Sequence, residues 1–198
     1  MWEIVMSSYL RSCGLLTPEQ SLVLLIDVQE KLLTGMPDPE LLVHRCRMLL
    51  KVARLLNVPV LTTEQYPKGL GATDSRLKEF AQDPIPKMRF SSVEALQLPA
   101  AGDRTDQRTK AILIGMETHV CVWQTAADLL ALGYEVIIPT DAVQCRNDSD
   151  HQAALMRFRD QGITISSVET VIFEWCETAE HDQFKAISRI VTGRDEQT

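Results

Sequence analysis

Two short apolar runs constrain the fold of this chain more than any other feature. LVLLI, residues 22–26, ends in an aspartate, and AILIG, residues 111–115, ends in a short polar loop. Neither run alternates apolar with polar residues, as strands with one solvated face do, so both are typical of strands buried on both faces of a parallel sheet. Parallel strands need long crossover connections, which are usually helices.

Helical patterns separate the predicted strands along most of the chain. The segment from Asp38 to about Leu56 repeats apolar residues at helical spacing, and the strand PVLTT follows it. Further helices are predicted at 75–80, 120–132, 148–161, 168–173 and 181–191, with extended segments in PIPKMRFSS, YEVIIPTDAV and ITISS. We therefore predict an α/β, three-layer Rossmann-like fold, with a central parallel β-sheet of about six strands and helices on both faces.

Length and charge limit the number of domains and the class of partner. With 198 residues, 45% of them hydrophobic, the chain predicts a single domain over 1–198, with an N-terminal extension over 1–19 and a core over about 20–190. The net charge is −7 and no cluster of Lys or Arg is present, which argues against a nucleic acid partner. Because the apolar runs are only strand-sized, no membrane span is expected, and a small-molecule substrate is the predicted partner.

The cysteines indicate a reducing compartment. There are five, an odd number, and no two are spaced as C-x-x-C. This pattern suits free thiols better than a disulfide framework, so we predict a cytoplasmic protein. Import into an organelle stays an open alternative, because the first residues are compatible with a weak transit peptide.

Several polar residues fall where predicted strands end. In open α/β sheets ligands bind beyond the carboxyl ends of the strands, which gives these positions functional meaning. Asp27 ends the first strand, Glu64 and Tyr66 follow the second, Cys121 lies one turn past the central strand, and Asp141 follows the next one.

Cys121 is either a buried packing residue or a nucleophile. Free cysteine is commonly buried and inert, which favours packing on residue type alone. At the start of the helix predicted over 120–132, however, the helix dipole and unpaired N–H groups would lower the pKa of the thiol and could stabilise an oxyanion. The other cysteines lack this context: Cys46 is on the apolar face of a helix, Cys13 and Cys176 are in terminal regions, and Cys145, in a loop, is a minor candidate.

A thiol nucleophile needs a base, and the histidines do not provide one. His119 lies two residues before Cys121, where a tight turn would direct it elsewhere. The other three fall within helical patterns and are expected at the surface: His44, His151 and His181. Asp27 is the better base, and Lys87 could hold its charge in place. Taken singly, Asp27 would be interpreted as a cap or turn residue and Lys87 as a surface lysine.

Three motifs together resemble a known family. DVQ at 27–29, PKMRFSS at 86–92 and GMETHVCV at 115–122, in this order, are similar to motifs of the isochorismatase-like cysteine hydrolases, the superfamily that includes nicotinamidases. TEQYPKGLG and PTDAV add to the likeness, which covers about residues 20–190 and is nearest to the small isochorismatase-domain-containing hydrolases.

The resemblance implies a catalytic triad of Asp27, Lys87 and Cys121. In such enzymes the aspartate deprotonates the thiol, the thiolate attacks a carbonyl or similar carbon, an amine leaves, and water hydrolyses the acyl-enzyme, while the lysine orients the acid. The resemblance also implies a cis peptide bond between Met116 and Glu117. The N–H groups of Glu117 and Cys121 would form the oxyanion hole.

The sequence departs from the nicotinamidase pattern at two places. The Asp-x-His metal motif after the second strand is replaced by Glu64, Gln65 and Tyr66, which are too few ligands for a transition metal, so we expect no metal and no cofactor. The stretch DVQNDF is DVQEKLL here, which replaces an aromatic by an aliphatic residue and argues against nicotinamide. Members that cleave isochorismate lack the cysteine, which argues against isochorismate.

Pocket and interface residues complete the set of expectations. Candidates for substrate binding are Gln29, Tyr66, Phe90 and Trp123, although the aromatics could equally pack in the core or between subunits. A homo-oligomer is expected, with Trp175 and Phe184 of the terminal helices at its interface. The leading interpretation is a metal-independent cysteine hydrolase of a small amide or related carbon–nitrogen bond. The alternative is a catalytically silent interaction protein with the same fold. A dinucleotide-binding enzyme ranks low, since no G-x-G-x-x-G follows a strand.

Overall fold

Strands and helices alternate as the sequence predicts. The computed structural model describes residues 9–195, so residues 1–8 of the predicted N-terminal extension and 196–198 lie outside the described residues. The strands are β1 (Ser21–Ile26), β2 (Val60–Gln65), β3 (Ile85–Lys87), β4 (Lys110–Met116), β5 (Glu135–Pro139), β6 (Val143–Gln144) and β7 (Thr164–Ser166). The helices are α1 (Glu30–Leu33), α2 (Pro39–Leu55), α3 (Pro67–Leu70), α4 (Trp123–Ala131), α5 (Asp148–Asp160), α6 (Val168–Cys176) and α7 (Phe184–Val191).

The strands of the sheet are parallel, and the direction in which the chain adds strands reverses between β1 and β4. Its strand order is β3-β2-β1-β4-β5-β7, and β6 pairs with the end of β4. The chain moves outward in one direction through β2 and β3 and then crosses back to β4. Crevices for ligands form where the strand order reverses in this way. The predicted parallel sheet with helices on both faces is confirmed.

The continuous apolar run of β1 fills two cores at once. Val23 and Leu25 pack toward the face covered by α2, α6 and α7. Leu22, Leu24 and Ile26 pack toward the other face, which α4 and α5 cover. Successive side chains of a strand point to opposite faces, and both faces are buried here, so every residue from Leu22 to Ile26 is apolar.

The helix after β4 differs from the prediction. A π-helical turn, Thr118–Val122, precedes α4, which begins at Trp123 rather than near residue 120. Val122 N donates to Glu117 O at 3.2 Å and Trp123 N donates to Thr118 O, so the turn is one residue wider than an α-helical turn. Cys121 therefore lies within this turn and not at the start of α4.

The C-terminal region corrects two further expectations. Trp175 is only 2% exposed and its indole N–H donates to Ser21 Oγ at 2.9 Å, so the prediction of Trp175 as an interface residue is wrong. Its ring packs inside the chain because α6 lies against the sheet beside α2. The last helix, α7, begins at Phe184, three residues after His181.

The helices that the structure describes do not span a membrane. Between residues 9 and 195 no helix is both long enough and apolar enough to cross a bilayer.

Candidate active site

Asp27 follows β1 in a sharp turn. Its φ of 53° is in the left-handed region, which aspartate tolerates better than most residues. The backbone N–H of Asp27 donates to Thr63 O at 3.1 Å, and the Thr63 hydroxyl donates to Asp27 Oδ1 at 2.8 Å. The side chain is fully buried. Two bonds from one residue of β2 thus fix this carboxylate at the carboxyl end of the sheet.

Lys87 is the last residue of β3, and its ammonium group is saturated with acceptors. Nζ lies 2.7 Å from Asp27 Oδ2, 2.7 Å from Gln65 Oε1 and 2.9 Å from Phe90 O. An ammonium group carries three hydrogens, and its three hydrogen bonds go to Gln65 Oε1, to Phe90 O and, at 3.3 Å, to Arg89 O. Asp27 Oδ2 faces the ammonium as an ion pair and has no hydrogen-bond partner in the part of the chain that the structure describes. A buried lysine with a buried carboxylate and three further acceptors is stable only as a complete set, because removal of the carboxylate or of the lysine leaves an unpaired charge.

The Cys121 thiol lies beside this ion pair and is 6% exposed. Burial is the main factor that raises the pKa of the thiol, to about 12, and the charge of Asp27 raises it further, while Lys87 lowers it. The lowered pKa expected from the sequence is therefore wrong. Desolvation and the neighbouring carboxylate outweigh Lys87 and any dipole of the short turn. Cys121 rests as a neutral thiol next to an acceptor for its proton.

The loop before Cys121 is shaped by close contact between β1 and β4. Gly115, at the end of β4, has a φ of 119°, and a Cβ placed there would lie 2.1 Å from Ile26 O. The peptide bond between Met116 and Glu117 is cis. The Glu117 carboxylate accepts from Arg146 N at 3.1 Å and from Arg146 Nε at 3.0 Å. Neither bond of the π-helical turn uses the N–H of Cys121.

The predicted pocket residues have different surroundings. Gln29 is fully buried, and its amide bonds Gln65 O, Gly71 O and Gln65 N, so it fixes backbone instead of facing a ligand. Trp123 packs against Phe158 and carries the Arg157 guanidinium over its ring at 3.9 Å, which gives it a packing role between α4 and α5.

Tyr66 and Phe90 remain candidates for contact with a ligand. They are 48% and 49% exposed, at the carboxyl end of β2 and just after β3. The Phe90 carbonyl also accepts from Lys87, which places this residue beside the ion pair.

Glu64 closes a loop in the stretch where nicotinamidases carry their metal motif. Its Oε1 accepts from Thr73 N at 2.6 Å and from Thr73 Oγ1 at 2.8 Å. Gln29 Nε2 binds Gly71 O and Lys31 Nζ binds Gly69 O, so the loop 66–73 is anchored at several points. Within residues 9–195, no group of three or more His, Cys, Asp or Glu side chains is placed to hold a metal ion.

Several histidines and thiols other than Cys121 have polar neighbours of their own. His119 Nε2 lies 4.0 Å from Asp150 Oδ2, and His151 Nδ1 lies 3.0 Å from Thr118 Oγ1. All five cysteines are free. Cys46 is fully buried on α2, as expected, and Cys145 Sγ lies 3.2 Å from a backbone carbonyl. Of these groups, only Cys121 has an acid and a lysine among the charges that act on its thiol.

Sequence patterns did not reveal the groups that support Asp27, Lys87 and Cys121. Gln65 links Lys87 to Gln29, and the hydroxyls of Thr63, Ser92 and Thr125 lie behind Asp27 and Cys121. Thr63 and Gln65 are polar residues near the end of β2, which is the signal available for them, whereas no local pattern singles out Ser92 or Thr125.

Several known proteins are similar to this chain in sequence and in fold. A family profile described as the isochorismatase domain matches residues 21–170. Isochorismatase domain-containing protein 2A of Mus musculus is 39% identical over 180 residues, which are 91% of this chain and 86% of that protein. The structure of MAR1 ribonuclease from Caenorhabditis elegans is 33% identical with a TM-score of 0.82, over 90% of this chain and 93% of that one.

A more distant structure shares the fold alone. The YcaC gene product from Escherichia coli, described as an octameric hydrolase of unknown specificity, is 21% identical with a TM-score of 0.76. The alignment covers 96% of this chain and 100% of that one. The family profile begins at the first residue of β1 and ends within α6, so it includes the whole sheet with Asp27, Lys87 and Cys121. The chain therefore belongs to the isochorismatase family, among the isochorismatase-like hydrolases.

Proposed function

We propose that this chain is a metal-independent cysteine hydrolase that cleaves a small amide or a related carbon–nitrogen bond. The observation that carries the proposal is the meeting of three side chains at the carboxyl ends of the central strands. A neutral thiol, an ionised acid and a lysine lie together in a buried site, and the charges of both Asp27 and Lys87 act on Cys121. This is the arrangement of a nucleophile, a base and an orienting group.

The first half of the reaction forms an acyl-enzyme. The Sγ–H proton of Cys121 passes to the carboxylate of Asp27 as sulfur attacks the carbonyl carbon, so no free thiolate needs to accumulate. The negative charge on the carbonyl oxygen is received by the N–H groups of Glu117 and Cys121. The carbon–nitrogen bond then breaks, and the leaving amine takes the proton from Asp27.

The second half restores the thiol. Water attacks the thioester carbon and gives a proton to Asp27, and the carbon–sulfur bond breaks as that proton returns to sulfur. Lys87 donates its hydrogen bonds to Gln65 Oε1, Arg89 O and Phe90 O and forms an ion pair with Asp27, so its role is to balance the charge of Asp27 rather than to transfer protons. Tyr66 and Phe90, which are half exposed near the site, are the residues proposed to contact the substrate.

Acylation by an activated ester tests this proposal. p-Nitrophenyl acetate should transfer one acetyl group to the protein and release p-nitrophenolate, and peptide mass spectrometry should place the acetyl group on Cys121. Cys145 is the internal control, because its thiol is also buried and its sulfur lies 3.2 Å from the Asn147 carbonyl, without a lysine among the charges that act on it. Acetylation of Cys13 or Cys145 without Cys121 would support the alternative, a catalytically silent interaction protein.

Asp27→Asn separates the two effects of Asp27 on the thiol. The substitution removes the charge that raises the pKa of Cys121 and leaves Lys87, which lowers it. We therefore expect faster alkylation of Cys121 by iodoacetamide at about pH 8, but acylation by p-nitrophenyl acetate slower by about 100-fold or more, because the proton acceptor is lost. Quenched-flow labelling and stopped-flow absorbance measure the two rates. Slower alkylation of Cys121 in Asp27→Asn would contradict this assignment.

RNA is a weaker candidate substrate. The C. elegans relative is named a ribonuclease, but a net charge of −7 without a basic cluster disfavours phosphate binding. The homo-oligomer and the cytoplasmic location stay predictions, the former in keeping with the description of the E. coli relative as an octamer.

A further inference from the structure

We propose that the hydroxyls of Thr63, Ser92 and Thr125, here called the hydroxyl chain, position the carboxylate of Asp27 relative to Cys121, with Thr63 as the residue that holds it. The inference rests on the proposed function, because it assigns positioning residues to the proton acceptor of that reaction. None of the three residues touches the substrate carbon in this scheme.

Thr63 holds the outer oxygen of Asp27. Its Oγ1 lies 2.8 Å from Asp27 Oδ1, while Oδ2 faces Lys87 Nζ at 2.7 Å. Ser92 Oγ lies 3.2 Å behind Thr63 Oγ1. The exposed fractions of Asp27, Thr63 and Ser92 are at most 1%. Burial of this depth excludes bulk water as an alternative partner, so the carboxylate depends on these groups for its orientation.

Counting hydrogens fixes the direction of the bonds. An ionised carboxylate only accepts, so the single proton of the Thr63 hydroxyl goes to Asp27. Thr63 then has no proton left for Ser92, and Ser92 must donate its own proton to Thr63. The hydrogen bonds of the hydroxyl chain are therefore all donated in one direction, from Ser92 to Thr63 and from Thr63 to Asp27. Each donor stabilises the ionised acid.

Ser92 also connects Asp27 to the turn that carries the nucleophile. The Thr125 hydroxyl donates to Cys121 O at 2.7 Å, and it accepts from Ser92 N at 3.0 Å. Ser92 therefore acts on Asp27 through its side chain and on the Cys121 turn through its backbone. One residue sets the distance between the proton acceptor and the nucleophile, although it belongs to neither strand end.

The consequence is a fixed choice of which carboxylate lone pairs face the thiol. Oδ1 accepts the hydrogen bond of Thr63, whereas Oδ2 forms the ion pair with Lys87 without a hydrogen bond, so rotation of the carboxylate would break the Thr63 bond and separate the ion pair. Loss of the Thr63 hydroxyl frees this rotation and leaves Lys87 as the remaining side-chain partner. The rate of proton transfer should fall, whereas binding of the substrate should not change.

The neighbouring residue of the same strand offers a matched control. Thr62 is 4% exposed, and its hydroxyl has no hydrogen-bond partner within residues 9–195. Thr63→Val and Thr62→Val remove the same group one position apart. We expect Thr63→Val to lower the saturated acylation rate with p-nitrophenyl acetate about 10- to 100-fold with little change in half-saturation, and Thr62→Val to leave it within about twofold. Thr63→Ser, which keeps the hydroxyl, should restore most of the rate.

Iodoacetamide labelling keeps the test independent of acyl transfer. Because Asp27 opposes ionisation of Cys121, a carboxylate that rotates away should let Cys121 alkylate faster, so Thr63→Val should resemble Asp27→Asn. The rate at Cys46, which is fully buried, must stay unchanged, which separates this effect from general loosening. If wild type is not acylated at all, the proposed function fails while the labelling still tests Thr63. Equal acylation and labelling rates in Thr63→Val and Thr62→Val would overturn the positioning role.

Discussion

Replacing Cys121 by alanine is expected to lower the hydrolysis of any substrate of this protein by at least about a thousandfold, because the group that forms the covalent bond is lost. The change is small in volume and occurs in a turn closed by bonds between backbone groups of other residues. Folding should therefore survive. Release of ammonia or amine from small amides, ureides and carbamates, compared between wild type and variant, measures the effect and also searches for the substrate.

Cys145→Ala is the matched control for this prediction. It removes another buried thiol at the carboxyl end of the sheet, in the loop that follows β6. Its activity should equal that of wild type, since no acid adjoins its sulfur through a side-chain hydrogen bond. If turnover persists in Cys121→Ala, or is lost equally in Cys145→Ala, the covalent mechanism is wrong.

Gly115→Ala is expected to be the most damaging single methyl group in the chain. Its Cβ would lie 2.1 Å from Ile26 O and 2.9 Å from Ile26 C, and these are atoms of a central strand that cannot move alone. The φ of 119° is moreover a conformation that only glycine adopts without cost. We expect the free energy of unfolding to fall by at least about 4 kcal/mol, which for a domain of ordinary stability leaves little folded protein.

Gly102→Ala provides the comparison in the same protein. A Cβ at Gly102 meets no atom within 4 Å, and the backbone there is not in the left-handed region. Its stability should stay within about 0.5 kcal/mol of wild type. Urea denaturation followed by circular dichroism measures both variants. A Gly115→Ala protein that unfolds at the wild-type urea concentration would show that the contact between β1 and β4 is looser than described.

The parts of the fold that follow from local patterns could be predicted from the sequence. The unbroken apolar run of β1 indicates burial on two faces, and the two cores explain it. The placement of Asp27 and Cys121 at strand ends follows from the rule for parallel sheets, which needs no side-chain detail. The pairing of Lys87 with Asp27 was one possibility from the residues and was favoured by the resemblance, since nothing local distinguishes Lys87 from a surface lysine.

Properties that depend on the surroundings of a group could not be predicted in this way. The sign of the pKa shift at Cys121 is set by burial and by Asp27, which are distant in sequence and unknown before folding. Trp175 resembles an interface residue in the sequence, but its side chain is buried because α6 packs against the sheet. Gln29 resembles a ligand contact until its three backbone partners are known. Each error came from assigning a role to a side chain before its neighbours were known.

The loop 66–73 is held firmly in place and yet tolerates substitutions, two properties that usually conflict. Its closure comes from side chains of Glu64, Gln29 and Lys31, all of which lie outside it, and the half-exposed Tyr66 stands at its start. Within α3 only the carbonyl of Gly69 takes part in these three contacts, as the acceptor for Lys31, and no side chain of α3 does. Side chains of α3 other than at Gly69, where a Cβ would lie 2.2 Å from the Tyr66 ring, can therefore change without unfolding the sheet or disturbing the acid and the thiol. The sequence of this loop can change independently of the acid and the thiol. New substrate preferences could therefore evolve in the loop while the proposed reaction stays the same.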